Sequence, residues 1–64
     1  MIKVTRLNSN VITVNAEIIE TIEETPDTII TLTNGKKFIV QETLDEVIKL
    51  IIEYKREIFS RYTN

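Results

Sequence analysis

The chain contains no cysteine, no histidine and no tryptophan, with a single glycine and a single proline. Without cysteine there are no disulfides and no thiolate metal sites, and without histidine the commonest transition-metal ligand is gone. One Gly and one Pro leave little for a flexible linker, and no repeat or low-complexity stretch is visible. Long apolar runs are also missing. None is longer than Leu50-Ile51-Ile52, whereas a membrane span takes about 20 apolar residues. Positive charge is not in surplus either: eight Lys and Arg face ten Asp and Glu, giving a net charge of −2 and a pI near 5.0. A nucleic-acid binder collects phosphates with a basic face, so nucleic acid is not an expected partner. Polar residues interrupt every apolar step of the opening Met1-Ile2-Lys3-Val4-Thr5-Arg6. It reads as neither a signal nor a transit peptide, and the expected compartment is the cytoplasm.

What is present is a 64-residue chain, 42% hydrophobic and 28% charged, which allows one domain. A chain of that size buries only about 60% of the surface it exposes when unfolded. Such chains lean on a disulfide, a metal or a partner subunit, and here the partner subunit remains. Ile, Val and Thr supply 26 of the 64 residues, and their branched Cβ suits a pleated surface. The fold expected is α+β: a small antiparallel meander of about five short strands over residues 2–41, then one long amphipathic helix over about 43–62.

The strands read as Ile2 to Leu7, Val11 to Val14, Ile18 to Thr25, Thr28 to Leu32 and Lys36 to Gln41. Asn8-Ser9-Asn10 is a turn cluster, and Asn15-Ala16-Glu17 predicts a local turn seated on the Asn15 side chain. Pro26-Asp27 fits the centre of a type I turn. The Asn34-Gly35 hairpin allows two registers. A two-residue turn sets Phe38 opposite Thr31; a three-residue loop with Gly35 left-handed sets Phe38 opposite Ile30. The second gathers Ile30, Leu32, Phe38 and Val40 on one face and is preferred, since register follows the apolar pattern. Ile29 and Ile39 then fall on the other face, with Ile19 beside them.

From Thr43 the apolar period changes from 2 to 3.6. Thr43 followed by Glu46 is a capping box. Asp45 and Glu46 suit the positive end of the helix dipole, and Lys55, Arg56 and Arg61 the negative end. At about 100° per residue, Leu44, Val47, Ile48, Ile51, Ile52, Ile58, Phe59 and Tyr62 share a face that Leu50 and Tyr54 widen. Only Lys55 falls near its middle. A helix of about 20 residues runs about 30 Å, against about 17–20 Å for short strands, so its last turns overhang the sheet. An overhanging apolar end predicts a homo-oligomer, with Leu50, Tyr54, Lys55, Ile58, Phe59 and Tyr62 as the self-association or partner surface. Replacing Phe59 by Asp is then expected to alter the native mass or the folded state.

Glu17, Glu20, Glu23, Glu24 and Asp27 form an acidic stretch without a base. It can dock a basic partner; as a solvated strand edge it blocks unwanted pairing. Calcium wants six to eight oxygens from a wrapped loop, which alternating strand residues do not supply. Lys55 either pairs at an interface or lies along apolar surface with its ammonium in water. Tyr54 and Tyr62 suit interface anchors or core edging, and Lys36-Lys37 suits a soluble hairpin tip. No Gly-rich phosphate loop exists and no Ser sits beside a base. Neither catalysis nor a cofactor nor a metal is expected.

The runs Ile19-Glu20-Thr21-Ile22-Glu23-Glu24-Thr25-Pro26-Asp27-Thr28 and Ile30-Thr31-Leu32-Thr33-Asn34-Gly35-Lys36-Lys37 resemble the small FlbD/SwrD family of bacterial flagellar and swarming proteins. The start Met1 to Asn8, Glu46-Val47-Ile48 and Glu53-Tyr54-Lys55-Arg56 fit the same pattern. The resemblance reaches from Met1 to about Ile58. It implies a cytoplasmic protein, peripheral to the flagellar motor, that supports motor power or stator function by binding motility components. The family pattern carries a Gly after the Asn of the first turn, where this chain has Ser9-Asn10. No family ligand or catalytic residues carry over. A different class remains beside it: a small strand-rich RNA-binding regulator of motility genes, since Met-Ile-Lys-Val-Thr-Arg is superficially similar to the start of the carbon-storage translational regulators. That reading wants exposed aromatics and Arg for stacking, and the strands offer Phe38 and Arg6.

Overall fold

A computed structural model describes residues 1–63 and the side chains of residues 1–60. The elements run β1 (Ile2–Thr5), β2 (Val11–Val14), a 3-10 turn (Ala16–Ile18), β3 (Ile19–Glu24), β4 (Thr28–Leu32), β5 (Lys37–Val40) and α1 (Leu44–Thr63). All strand pairs are antiparallel. β1 and β2 form one sheet and β3-β4-β5 another.

The five strands are therefore those expected, but they do not make one meander. Asn15 accepts the Glu17 N–H on its side chain at 3.0 Å, the turn anticipated there, and the chain coils on as a 3-10 turn that buries Ala16. This turn carries β3 away from β2. The free edge of β1 instead meets β5, through a bridge between Arg6 and Val40 and a bond from the Gln41 N–H to Thr5 O of 2.8 Å. The Gln41 side-chain amide adds a bond to Arg6 O at 3.0 Å.

β4 and β5 pair in the preferred register, with Ile30 opposite Phe38 and Thr28 opposite Val40. Ile30, Leu32 and Val40 are buried on the inner face. Ile29 lies opposite Ile39 on the outer face, in line with Glu23. Ile19 does not join them. A bulge between Ile19 and Thr21 shifts the register, so Ile19 sits opposite Leu32 and packs on the core. The Pro26-Asp27 turn also differs: the Thr25–Pro26 peptide is cis, and the Thr25 N–H donates to Asp27 O at 3.2 Å, so Pro26 does not start a type I turn there.

The two hairpins share one turn. In β4–β5 the Leu32 N–H donates to Lys36 O (2.8 Å) and the Gly35 N–H to Leu32 O (3.0 Å), while the Asn34 side chain accepts the Lys36 N–H. In β1–β2 the Arg6 N–H donates to Asn10 O (2.8 Å) and the Ser9 N–H to Arg6 O (2.9 Å), with Asn8 accepting the Asn10 N–H. Both need a left-handed residue in third place: Gly35 at φ 87° and Ser9 at φ 72°. Ser9 thus holds the glycine's conformation without being one. Ser9→Gly is expected to stabilise the domain by about 0.5–1 kcal/mol, and Gly35→Ala to cost about 1 kcal/mol. A Cβ at Gly35 meets nothing within 4 Å, so its cost is all backbone. Thermal melts should move in opposite directions, by about 4–8 °C per kcal/mol in a domain this size.

The core is Ile2, Val4, Val14, Ala16, Ile30, Leu32, Val40 and Val47, held between the two sheets and α1. The helix lies across β1 and β3. Its start is the expected capping box: the Glu46 N–H donates to Thr43 Oγ1 at 3.1 Å, and the Thr43 N–H donates to Glu46 Oε1 at 2.9 Å. Val47 is its one fully buried side chain among the described residues; Leu50, Ile51 and Tyr54 pack at the core's rim. The described helical residues beyond Tyr54 make no part of that core, and the molecule measures 40 × 22 × 19 Å.

Candidate interaction surface

Two carboxylates fix the helix to the strands, and the sequence marked neither for that task. Glu42 lies just before α1. Its Oε1 accepts the Thr5 N–H and its Oε2 the Thr5 hydroxyl, each at 2.8 Å. Partial burial pushes this carboxyl upward, but the Thr5 N–H, the Thr5 hydroxyl and its own backbone N–H outweigh burial and hold it below 4.5. Glu24, from the acidic stretch, accepts the Leu44 N–H on Oε1 at 2.9 Å. One of the orphan donors of the helix start is thereby met by an anion at the positive end of the dipole.

The other acids stay at the surface. Glu17, Glu20, Glu23 and Asp27 are exposed along β3 and its ends, and β3 is the terminal strand of its sheet. The acidic stretch thus divides into one structural carboxylate and a solvated edge.

The helix residues singled out by sequence also separate. Leu50 and Tyr54 are half-buried against the core and Ile58 is half-buried further along. Lys55 is exposed and Phe59 is 70% exposed; the Tyr62 side chain lies outside the described residues. α1 is rolled so that Leu50 and Tyr54 turn inward, while Ile48 (41% exposed) and Ile52 (51%) turn outward. With Phe59 they form an apolar flank. Ile52, Lys55, Arg56, Phe59 and Ser60 line a shallow groove on it. The sequence pattern placed Ile48 and Ile52 on the same apolar face as Val47 and Ile51, because a wheel shows that a face is wide and not which part of it the sheet covers.

The outer sheet face is a second exposed apolar area. Ile39 is 43% exposed, and a shallow depression there is lined by Arg6, Leu7, Asn8, Lys37 and Ile39. The Arg6 guanidinium lies over the Phe38 ring, 5.8 Å from its centroid, so the two strand residues suited to stacking on bases are engaged with each other. Among the described residues, no helix is long and apolar enough to cross a membrane.

The family model described as FlbD, Flagellar and Swarming motility proteins, matches residues 1–59. The chain belongs to the FlbD family. The likeness read from the turns and helix motifs is borne out over all five strands and α1 as far as Phe59. FlbD membership ties this chain to flagellar and swarming motility. No curated protein and no solved structure matches it.

Proposed function

We propose that this FlbD protein is a non-catalytic interaction module that acts in the cytoplasm as a homo-oligomer, supporting motor power or stator function by binding flagellar motor components. Family membership supports the motility role. The observation that carries self-association is the apolar flank Ile48, Ile52 and Phe59 on a helix whose last turns run past their own core. A 64-residue domain gains most from a partner subunit when disulfides and metals are lacking.

Deletion of the gene should weaken swarming while growth stays normal, and the wild-type gene should restore it. Complementation with Ile52→Asp should fail although the protein still accumulates. Full swarming with that variant overturns the assignment of the helix flank. Unchanged motility on deletion overturns the motility role. RNA binding draws no support from the Arg6–Phe38 pairing, and mixed RNA at low salt is expected to show no affinity in a salt titration.

A further inference from the structure

The exposed helix flank has a defined charge pattern. At about 100° per residue, Ile48 and Ile52 lie in one stripe, bordered by Lys55 on one side and by Lys49 and Arg56 on the other. Asp45 sits at the N-terminal end of the stripe, while Glu46 and Glu53 lie further round, beyond the basic border. A two-fold dimer sets a patch against itself. Such a contact pairs different residues of the same patch, and two copies joined antiparallel about Ile52 would bring Arg56 of one against Lys49 of the other, where like charges disfavour the contact.

Among the described residues, the outer sheet face offers an apolar surface with one acidic end. On the outer sheet face Glu23, Ile29 and Ile39 form a single cross-strand row, about 10 Å long at two strand spacings. Glu23 stands on the terminal strand β3, where no Lys or Arg occurs from Glu17 to Asp27. Lys37 stands at the other side of that face, on β5, in the row of Thr21 and Thr31. The face thus runs from carboxylate through isoleucine to ammonium, which sets the polarity of anything docking there.

We propose that the protein assembles head to tail, the outer flank of α1 in one copy lying on the outer sheet face of the next. Ile48 and Ile52 cover Ile29 and Ile39, and Lys55 and Arg56 lie toward Glu23 and Glu20. Asp45, at the N-terminal end of the stripe, lies toward Lys37 on β5. The occupant of each surface is a second copy of this chain, because one molecule carries both halves of the match in apolar area and in charge. The overhang of α1 beyond Tyr54 holds Lys55 and Arg56 where a neighbour can reach them. Such a contact is heterologous, so each added copy presents a fresh surface and the assembly closes as a ring or continues as a filament. This inference rests on the self-association proposed above.

The test uses the full chain, with native mass read by light scattering over a concentration series. One variant carries Lys55→Glu and Arg56→Glu, the other Glu20→Lys and Glu23→Lys. All four residues are exposed, and circular dichroism confirms folding; Arg56→Gln and Glu23→Gln probe the same contact more gently. Each double variant alone should dissociate at least about tenfold more readily than wild type. An equimolar mixture of the two should regain the wild-type mass, as should one chain carrying all four changes. An oligomer that persists in both variants, or variants that dissociate and do not recombine, overturns the head-to-tail contact and leaves self-association standing. A wild-type chain that stays monomeric overturns both.

Discussion

Ile30→Ala is expected to leave a large fraction of the molecules unfolded at 25 °C. Ile30 is fully buried in the middle strand of the three-stranded sheet, opposite Ile22 on one side and Phe38 on the other. Truncating such a residue to Ala costs about 2–5 kcal/mol, part lost transfer energy and part residual cavity. A single core in a domain of fewer than about 70–80 residues supplies about 3–5 kcal/mol in all. The two magnitudes overlap, so one side chain decides the folded state. Ile30→Val, at about 0.5–1.5 kcal/mol, should remain folded with a lower urea midpoint. Because binding to a second copy adds stability by mass action, both variants should be compared with wild type at one protein concentration. An Ile30→Ala transition within about 0.5 kcal/mol of wild type, taken from midpoint and slope, would move the centre of the core away from β4.

Removing the Glu42 carboxylate should give the second large effect, and it carries a pH signature. Glu42→Ala leaves the Thr5 N–H and hydroxyl without their acceptor, and hydrogen bonds to a charged group are worth about 1.5–3 kcal/mol. Since the folded-state pKa lies below the ordinary value of 4.5, the unfolded chain takes up the proton first as pH falls. The stabilisation from ionised Glu42 is complete above about pH 5. It declines as pH drops through the unfolded and then the folded pKa, and it is gone below both. Thermal melts of wild type and Glu42→Ala should therefore differ most near pH 7 and converge as the pH falls below the folded-state pKa. Curves that remain parallel across that range would mean that Glu42 acts through packing and not through charge.

Local chemistry explains which parts of the fold were legible in sequence. The capping box, the Asn15 turn, the β4–β5 register and the length of α1 each depend on residues within a few positions of one another, and each formed as the pattern predicted. The partition into two sheets did not follow from local pattern. It depends on where the chain leads after the 3-10 turn and on the meeting of residues 6 and 40; neither that meeting nor the bulge between Ile19 and Thr21 has a periodicity to betray it. The same holds for the candidate site. An over-wide apolar face on α1 could be read directly. Its division into a core-facing part around Val47 and an outward part at Ile48 and Ile52 depends on how β1 and β3 support the helix. Glu24 looked like one more acid on a solvated strand, because only the folded chain brings it to the Leu44 N–H.

The junction of β1 with residues 40–42 also imposes an order on synthesis. Thr5 finds its partners in Gln41 and Glu42, and Ile2 and Val4 share a core with Val47. At translation rates of about 5–20 residues per second, the first hairpin, closed at Val14, waits on the order of 1–6 s for the segment that completes it. Throughout that interval one edge of β1 is unpaired in a crowded nascent chain. The alternation of Lys3 with Ile2 and Val4, and the polar Asn8-Ser9-Asn10 turn, keep the waiting hairpin from presenting a continuous apolar strip to its neighbours.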